Sequence, residues 1–76
     1  LTQLLVRRYI MVYKKINLIG TSKKDFTGAV KAAVDAAAKT VRGIRWVEVS
    51  SLGAKVEKNK VVEYQADVKV VFEIER

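Results

Sequence analysis

Apolar and polar residues alternate through the last quarter of this 76-residue chain, which predicts one long β-strand. The apolar positions are Val62, Tyr64, Ala66, Val68, Val70, Phe72 and Ile74, and the polar ones are Glu63, Gln65, Asp67, Lys69, Glu73 and Glu75. At 3.3 Å per residue, about 14 residues would span about 46 Å, whereas a compact domain of this length is about 30 Å across. We therefore expect the strand to bend, to overhang the domain or to pair with another chain.

A shorter strand and a helix are predicted earlier in the chain. Residues 11–19 alternate, although Lys14 interrupts the apolar side, and predict the first strand. Ser22 and Asp25 have the spacing of a capping box, and the following residues have helical periodicity, so we expect a helix over 23–42 that stops at Gly43. Its apolar face consists of Phe26, Ala29, Val30, Ala33, Val34, Ala37 and Val41.

The middle of the chain predicts the second strand and a hairpin. Residues 45–49 alternate, and residues 50–55 lose the alternation, which indicates a bulge or bend. Lys58-Asn59 is the best hairpin turn, because Asn tolerates positive φ. The expected fold is α+β, with order β-α-β-β and a three-stranded antiparallel sheet wrapped around one helix. The last strand is expected at the centre of the sheet.

Composition excludes several kinds of chemistry. The chain has no Cys, His or Pro, so an imidazole base, a thiolate nucleophile, a disulfide framework and the usual zinc ligand sets are ruled out. A domain this small is marginally stable alone, and oligomerisation is the remaining way to supplement its core. No apolar run approaches the ~20 residues of a membrane span and no signal peptide is visible, so we expect a cytoplasmic protein without membrane contact.

Two parts of the sequence have less definite interpretations. Residues 1–10 show no strong periodicity and are interpreted as an N-terminal extension, a mis-assigned start or an expression remnant. The formal net charge of +7 is compatible with nucleic acid, an anionic cofactor or simple solubility.

The candidate site consists of Trp46 and Gln65. Val47 and Val49 are expected under the helix, so Trp46 projects from the opposite face of the sheet, as does Gln65. The hairpin places Trp46 opposite Val71, with Gln65 six residues further along, or about 20 Å away. Taken singly, Trp46 is as typical of a subunit interface as of a stacking site, whereas a residue such as Gln65 is most often an ordinary solvated strand residue.

Residues 11–76 resemble the dodecins, a family of small flavin-binding proteins that form hollow homododecamers. The similarity lies in MVYKKINLIGTS at the start, IRWVEV after the helix and VVEYQADVKVVFEIE at the end. It implies that Trp46 stacks on the flavin isoalloxazine and that Gln65 hydrogen-bonds its pyrimidine edge. It also implies that flavins bind in stacked pairs at two-fold sites, between tryptophans of neighbouring subunits.

One departure from the family concerns the flavin phosphate. Many bacterial dodecins carry an Arg-Gly step shortly after the tryptophan segment, whose arginine helps to hold a phosphate. Gly53 stands at the place of that arginine here. Lys55 or the Lys14-Lys15 pair is the candidate substitute, so both FMN and riboflavin remain open.

The predicted function is flavin storage or sequestration by a homo-oligomer, expected to be a dodecamer, and not catalysis. A flavin-dependent oxidoreductase is one alternative, although it needs an open ring face for its substrate. A basic module that binds single-stranded nucleic acid, with Trp46 as a base-stacking platform, is the other, but nucleic acid is not the expected partner. No metal site is expected.

Overall fold

A computed structural model of the chain, which describes residues 12–74, has the predicted β-α-β-β order. Its elements are β1 (Tyr13–Ser22), α1 (Phe26–Ala38), β2 (Ile44–Glu57) and β3 (Lys60–Glu73). The sheet order is β1-β3-β2, and both outer strands run antiparallel to β3. The predicted fold, with the last strand at the centre, is confirmed. The expected extension at residues 1–10 lies outside the described residues.

The core lies between α1 and one face of the sheet, and it is built from small side chains. Ala29, Ala33 and Ala37 of α1 pack against Ala66, Val68 and Val70 of β3, and all six are buried. The alanine stripe lets the helix approach the sheet closely. Gly20 on β1 allows the same approach, since a Cβ there would overlap the carbonyl oxygen of Ala29.

The β2–β3 hairpin extends beyond the part of the sheet that β1 completes. β1 pairs with β3 only from Tyr64 to Glu73, so the four residues from Lys60 to Glu63 have β2 as their one partner strand. Val56 and Val61, paired with each other there, remain 59% and 50% exposed. Of the three outcomes expected for the long strand, the described residues show an overhang.

The helix begins later than predicted, because its N-cap is Asp25. The carboxylate of Asp25 accepts a 2.6 Å hydrogen bond from the Gly28 amide, and its extended backbone (φ −167°) precedes the first helical residue. The Ser22 hydroxyl instead accepts from the amides of Lys24 and Asp25. Ser22 therefore stabilises the turn before the helix.

The helix also ends earlier than predicted, at Ala38 instead of residue 42. The amides of Thr40 and Val41 both donate to the Ala37 carbonyl, at 3.1 and 2.9 Å, and form a closing turn. Both residues are β-branched, which disfavours a continuing helix. Gly43 does adopt positive φ (75°), as expected of a stop residue, but its carbonyl accepts from the Glu73 amide, so it connects the turn to the sheet.

β2 is longer than the predicted 45–49, because bulges interrupt its alternation without ending its pairing. Its register with β3 shifts between Val49 and Ser51, which leaves Ser50 as an extra residue and confirms the expected bulge. The predicted turn is also confirmed. Lys58 and Asn59 both have positive φ, 53° and 63°, as a two-residue hairpin turn of type I′ requires.

Candidate flavin-binding face

Trp46 lies on the face of the sheet that α1 does not cover. It pairs with Val71 of β3, as predicted, and Lys15 of β1 flanks Val71 on the other side. Val71 is 1% exposed, although it is not part of the core beneath the helix. Trp46, in contrast, is 51% exposed. The accessible indole of Trp46 therefore lies next to the buried side chain of Val71.

Tyr13 contacts this indole, which the sequence pattern did not predict. Its ring centroid lies 5.5 Å from that of Trp46, with an interplanar angle of 51°. Tyr13 shares its strand parity with Lys15, so the alternation of residues 11–19 already put it on the face of Trp46. The contact itself depends on two side chains that lean towards each other across β3, and no sequence pattern reports that.

Gln65 shares this face, but it does not meet Trp46 within one chain. It is half-buried between Thr21 of β1 and Gly53 of β2, at the far end of the three-stranded part of the sheet. Six residues separate it from Val71, which corresponds to about 20 Å along the strand. A Cβ at Gly53 would meet nothing within 4 Å, so the space beside Gln65 is open.

Asp67 lies between the indole and the amide on the same face, flanked by Ile19 and Ser51. Its Oδ1 atom is buried and has no hydrogen-bond partner among the described residues. Buried polar atoms are nearly always hydrogen-bonded. A donor from a ligand or from a second subunit would satisfy this acceptor.

Two lysines of this face are paired with carboxylates. Lys15 pairs with Glu48 at 3.2 Å, and Lys55 pairs with Glu57 at 3.5 Å. The described residues include no cluster of three or more acidic side chains that would hold a metal ion.

Arg45 and Glu73 form a third ion pair beside Trp46. The Arg45 guanidinium donates to Glu73 Oε1 through Nε, at 3.1 Å, and through Nη2. This hydrogen bond, with the charge of Glu73, raises the pKa of Arg45 above its ordinary value. The contact ties β2 to β3 immediately before the indole.

The three lysines named as candidates for the flavin phosphate lie on different faces. Lys55 pairs with Glu63 of β3, two positions from Gln65, and so shares the face of Trp46. Lys14 pairs with Phe72 and has the parity of the core positions Ile16 and Leu18, which is the helix side. Within one chain the structure therefore brings Lys55 and Lys15, but not Lys14, to the face of Gln65.

Comparison with known proteins matches this arrangement to one family. The Dodecin family model matches residues 12–75. The chain belongs to the dodecin family. A curated dodecin of Thermus thermophilus is 39% identical over 64 residues, which is 84% of this chain and 93% of that protein.

Solved dodecin structures have the same fold. An arginine-to-alanine mutant of the Thermus thermophilus dodecin superposes with a TM-score of 0.82 at 38% identity, covering 87% of this chain and 98% of the other. The dodecin of Streptomyces coelicolor gives a TM-score of 0.85 at 29% identity, covering 90% and 97%. Dodecins are flavin-binding proteins that form homo-oligomers and are not known as enzymes.

The helix of this dodecin is not a membrane span. Within residues 12–74, no helix combines the length and the apolar character that crossing a bilayer requires.

Proposed function

We propose that this chain stores and sequesters flavin, as riboflavin or FMN, in a hollow cytoplasmic homododecamer that does not turn over a substrate. The observation that carries the proposal is the half-exposed indole of Trp46, supported by Val71 on the face that the helix leaves uncovered. A planar aromatic ligand can stack on such a ring. Stacking contributes about 0.5–1.5 kcal/mol beyond the area that is buried.

Gln65 is the proposed partner of the polar flavin edge. Its side-chain amide both donates and accepts, which suits the alternating carbonyl and N–H groups of the pyrimidine ring. Because Gln65 lies about 20 Å from Trp46 in one chain, the two residues bracket a ligand only when they come from different subunits. The proposed site therefore requires the oligomer, and stacked flavin pairs between two-fold-related tryptophans fit this requirement.

Lys55 is the proposed contact for the phosphate of FMN, and Lys14 is the weaker candidate. Lys55 shares the face of Gln65, but Glu57 at 3.5 Å and its cross-strand neighbour Glu63 compete for its charge. Lys14 would have to reach the ligand from another subunit. Neither of these two lysines offers an uncompensated charge beside Gln65, which supports binding of both flavins.

Trp46→Ala and Trp46→Phe test the proposal. The protein is titrated with riboflavin and with FMN, and quenching of flavin emission is measured. We expect strong quenching by the unchanged chain, loss of most quenching in Trp46→Ala and partial retention in Trp46→Phe, since a ring remains. Light-scattering mass for each variant separates loss of the ligand contact from loss of the oligomer.

The two alternative functions, an oxidoreductase and a nucleic-acid-binding module, would give different results with the same purified protein. Steady NAD(P)H oxidation by the flavin-loaded protein would show an oxidoreductase. Single-strand oligonucleotide binding that weakens steeply with salt, in protein that ignores flavin, would show a nucleic-acid module.

A further inference from the structure

The rings of Tyr13 and Trp46 meet over the central strand. Tyr13 lies on β1 and Trp46 on β2, with β3 between them. Strands two positions apart in a sheet are separated by about 9.6 Å, yet the two ring centroids are 5.5 Å apart. Both rings therefore lean inward over β3, on the face where Val71 is 1% exposed although no helix covers it.

This contact covers one side of the Trp46 indole and leaves the rest of the ring exposed. Tyr13 occupies the side of Trp46 that is turned towards β1. Trp46 nevertheless remains 51% exposed and Tyr13 44% exposed, so the tyrosine covers only part of the ring. The exposed part of the indole remains available to a second planar ring.

A bulge and an ion pair restrain the same indole from the backbone. The register of β2 shifts between Ile44 and Trp46, so Arg45 is an extra residue directly before the tryptophan. Bulges re-aim the side chains next to them. Arg45 is bound to Glu73, and Glu73 is the cross-strand partner of Tyr13. Tyr13, the Arg45–Glu73 ion pair and Trp46 are thus neighbours in one cluster at this end of the sheet.

We propose that Tyr13 is a positioning residue for Trp46, which holds the indole in its ligand-binding orientation and confines stacking to the side away from β1. The inference rests on the proposed function, because the ligand is the flavin. A side chain that is already ordered loses less conformational freedom on binding, so the restraint increases affinity. The Arg45–Glu73 ion pair assists Tyr13, because it restrains the bulge next to Trp46.

The chain has a single tryptophan, so its fluorescence reports this indole alone. Steady-state anisotropy of Trp46 is measured in flavin-free protein for the unchanged chain, Tyr13→Leu and Tyr13→Phe. Leucine keeps apolar cover over Val71 but removes the ring, whereas phenylalanine keeps the ring. We expect lower anisotropy in Tyr13→Leu and an unchanged value in Tyr13→Phe. Asn17→Ala, on the same face and strand, is the matched control and should change nothing.

Flavin titration of the same variants gives the second measurement. Immobilising one side chain on binding costs about 0.5–1.5 kcal/mol, or about a two- to tenfold change in Kd, so Tyr13→Leu, whose indole is no longer held in place, should bind riboflavin more weakly by that factor. Tyr13→Phe should bind as the unchanged chain does. Equal anisotropy and equal Kd in Tyr13→Leu would overturn the inference.

The two proposals fail in different ways. An unchanged chain that binds no flavin refutes the storage function, and with it the effect of Tyr13 on affinity. The anisotropy measurement still decides whether Tyr13 restrains the indole. Normal flavin binding with no response to Tyr13→Leu refutes the positioning role alone.

Discussion

Replacing Gly20 with alanine should destabilise this protein, although alanine is ordinarily the better strand residue. A Cβ at Gly20 would overlap the carbonyl oxygen of Ala29 and lie 3.0 Å from the Cβ of Ala33. Both neighbours belong to the helix, so relief requires the helix to move off the sheet. Overpacking of this kind costs about 1–3 kcal/mol, against a gain of about 0.5–1 kcal/mol from removing a glycine.

Gly53→Ala is the matched control, because it makes the same chemical change in another strand of the sheet. A Cβ at Gly53 meets nothing within 4 Å, so only the gain of about 0.5–1 kcal/mol remains. The free energies of unfolding of the two variants should therefore differ by roughly 1–3 kcal/mol, or about 4–8 °C in Tm for each kcal/mol.

Thermal unfolding followed by far-ultraviolet circular dichroism measures this difference. Both variants and the unchanged chain are compared without flavin and at one protein concentration, because assembly makes Tm concentration-dependent. Equal midpoints for Gly20→Ala and Gly53→Ala would refute the close approach of helix and sheet.

Three further predictions concern the ligand. Gln65→Leu should weaken riboflavin binding about fivefold, since the loss of one hydrogen bond costs about 1 kcal/mol; an unchanged Kd in a quenching titration would remove Gln65 from the site. Gly53→Arg should bind FMN severalfold more tightly relative to riboflavin, because a guanidinium can bind phosphate through two parallel hydrogen bonds. Glu57→Gln should shift the same ratio in the same direction by releasing Lys55 from its ion pair; if paired titrations at low salt leave the ratio unchanged, Lys55 does not contact the phosphate.

The order of the helix and strands was predictable from the sequence. Apolar and polar residues alternate most clearly in the elements that bury one face and expose the other. β3 is the central strand, and its residues from Ala66 to Val70 alternate between the helix and the open face. The ends of the helix were not predictable from spacing. Ser22 and Asp25 are both good capping residues, and the choice between them depends on how the turn before the helix closes.

The shared face of Trp46 and Gln65 followed from strand parity, but the position of Lys55 did not. Strict alternation from Trp46 would place Leu52 and Ala54 on the face of the indole and Lys55 under the helix. The extra residue at Ser50 reverses that parity, so Lys55 lies beside Gln65. A bulge marks the sequence only as a loss of pattern, and its consequence for the residues beyond it appears in the three-dimensional register.

The overhanging hairpin couples the conformation of one segment to assembly. Between the hairpin turn and Tyr64, β2 and β3 form a two-stranded ribbon that pairs with no third strand. Such ribbons are at best marginally stable in water. In a homo-oligomer, a neighbouring subunit that packs against this ribbon would supply the missing support. Mass action then controls the conformation of this segment, so dilution should loosen the ribbon before the helix-covered half unfolds.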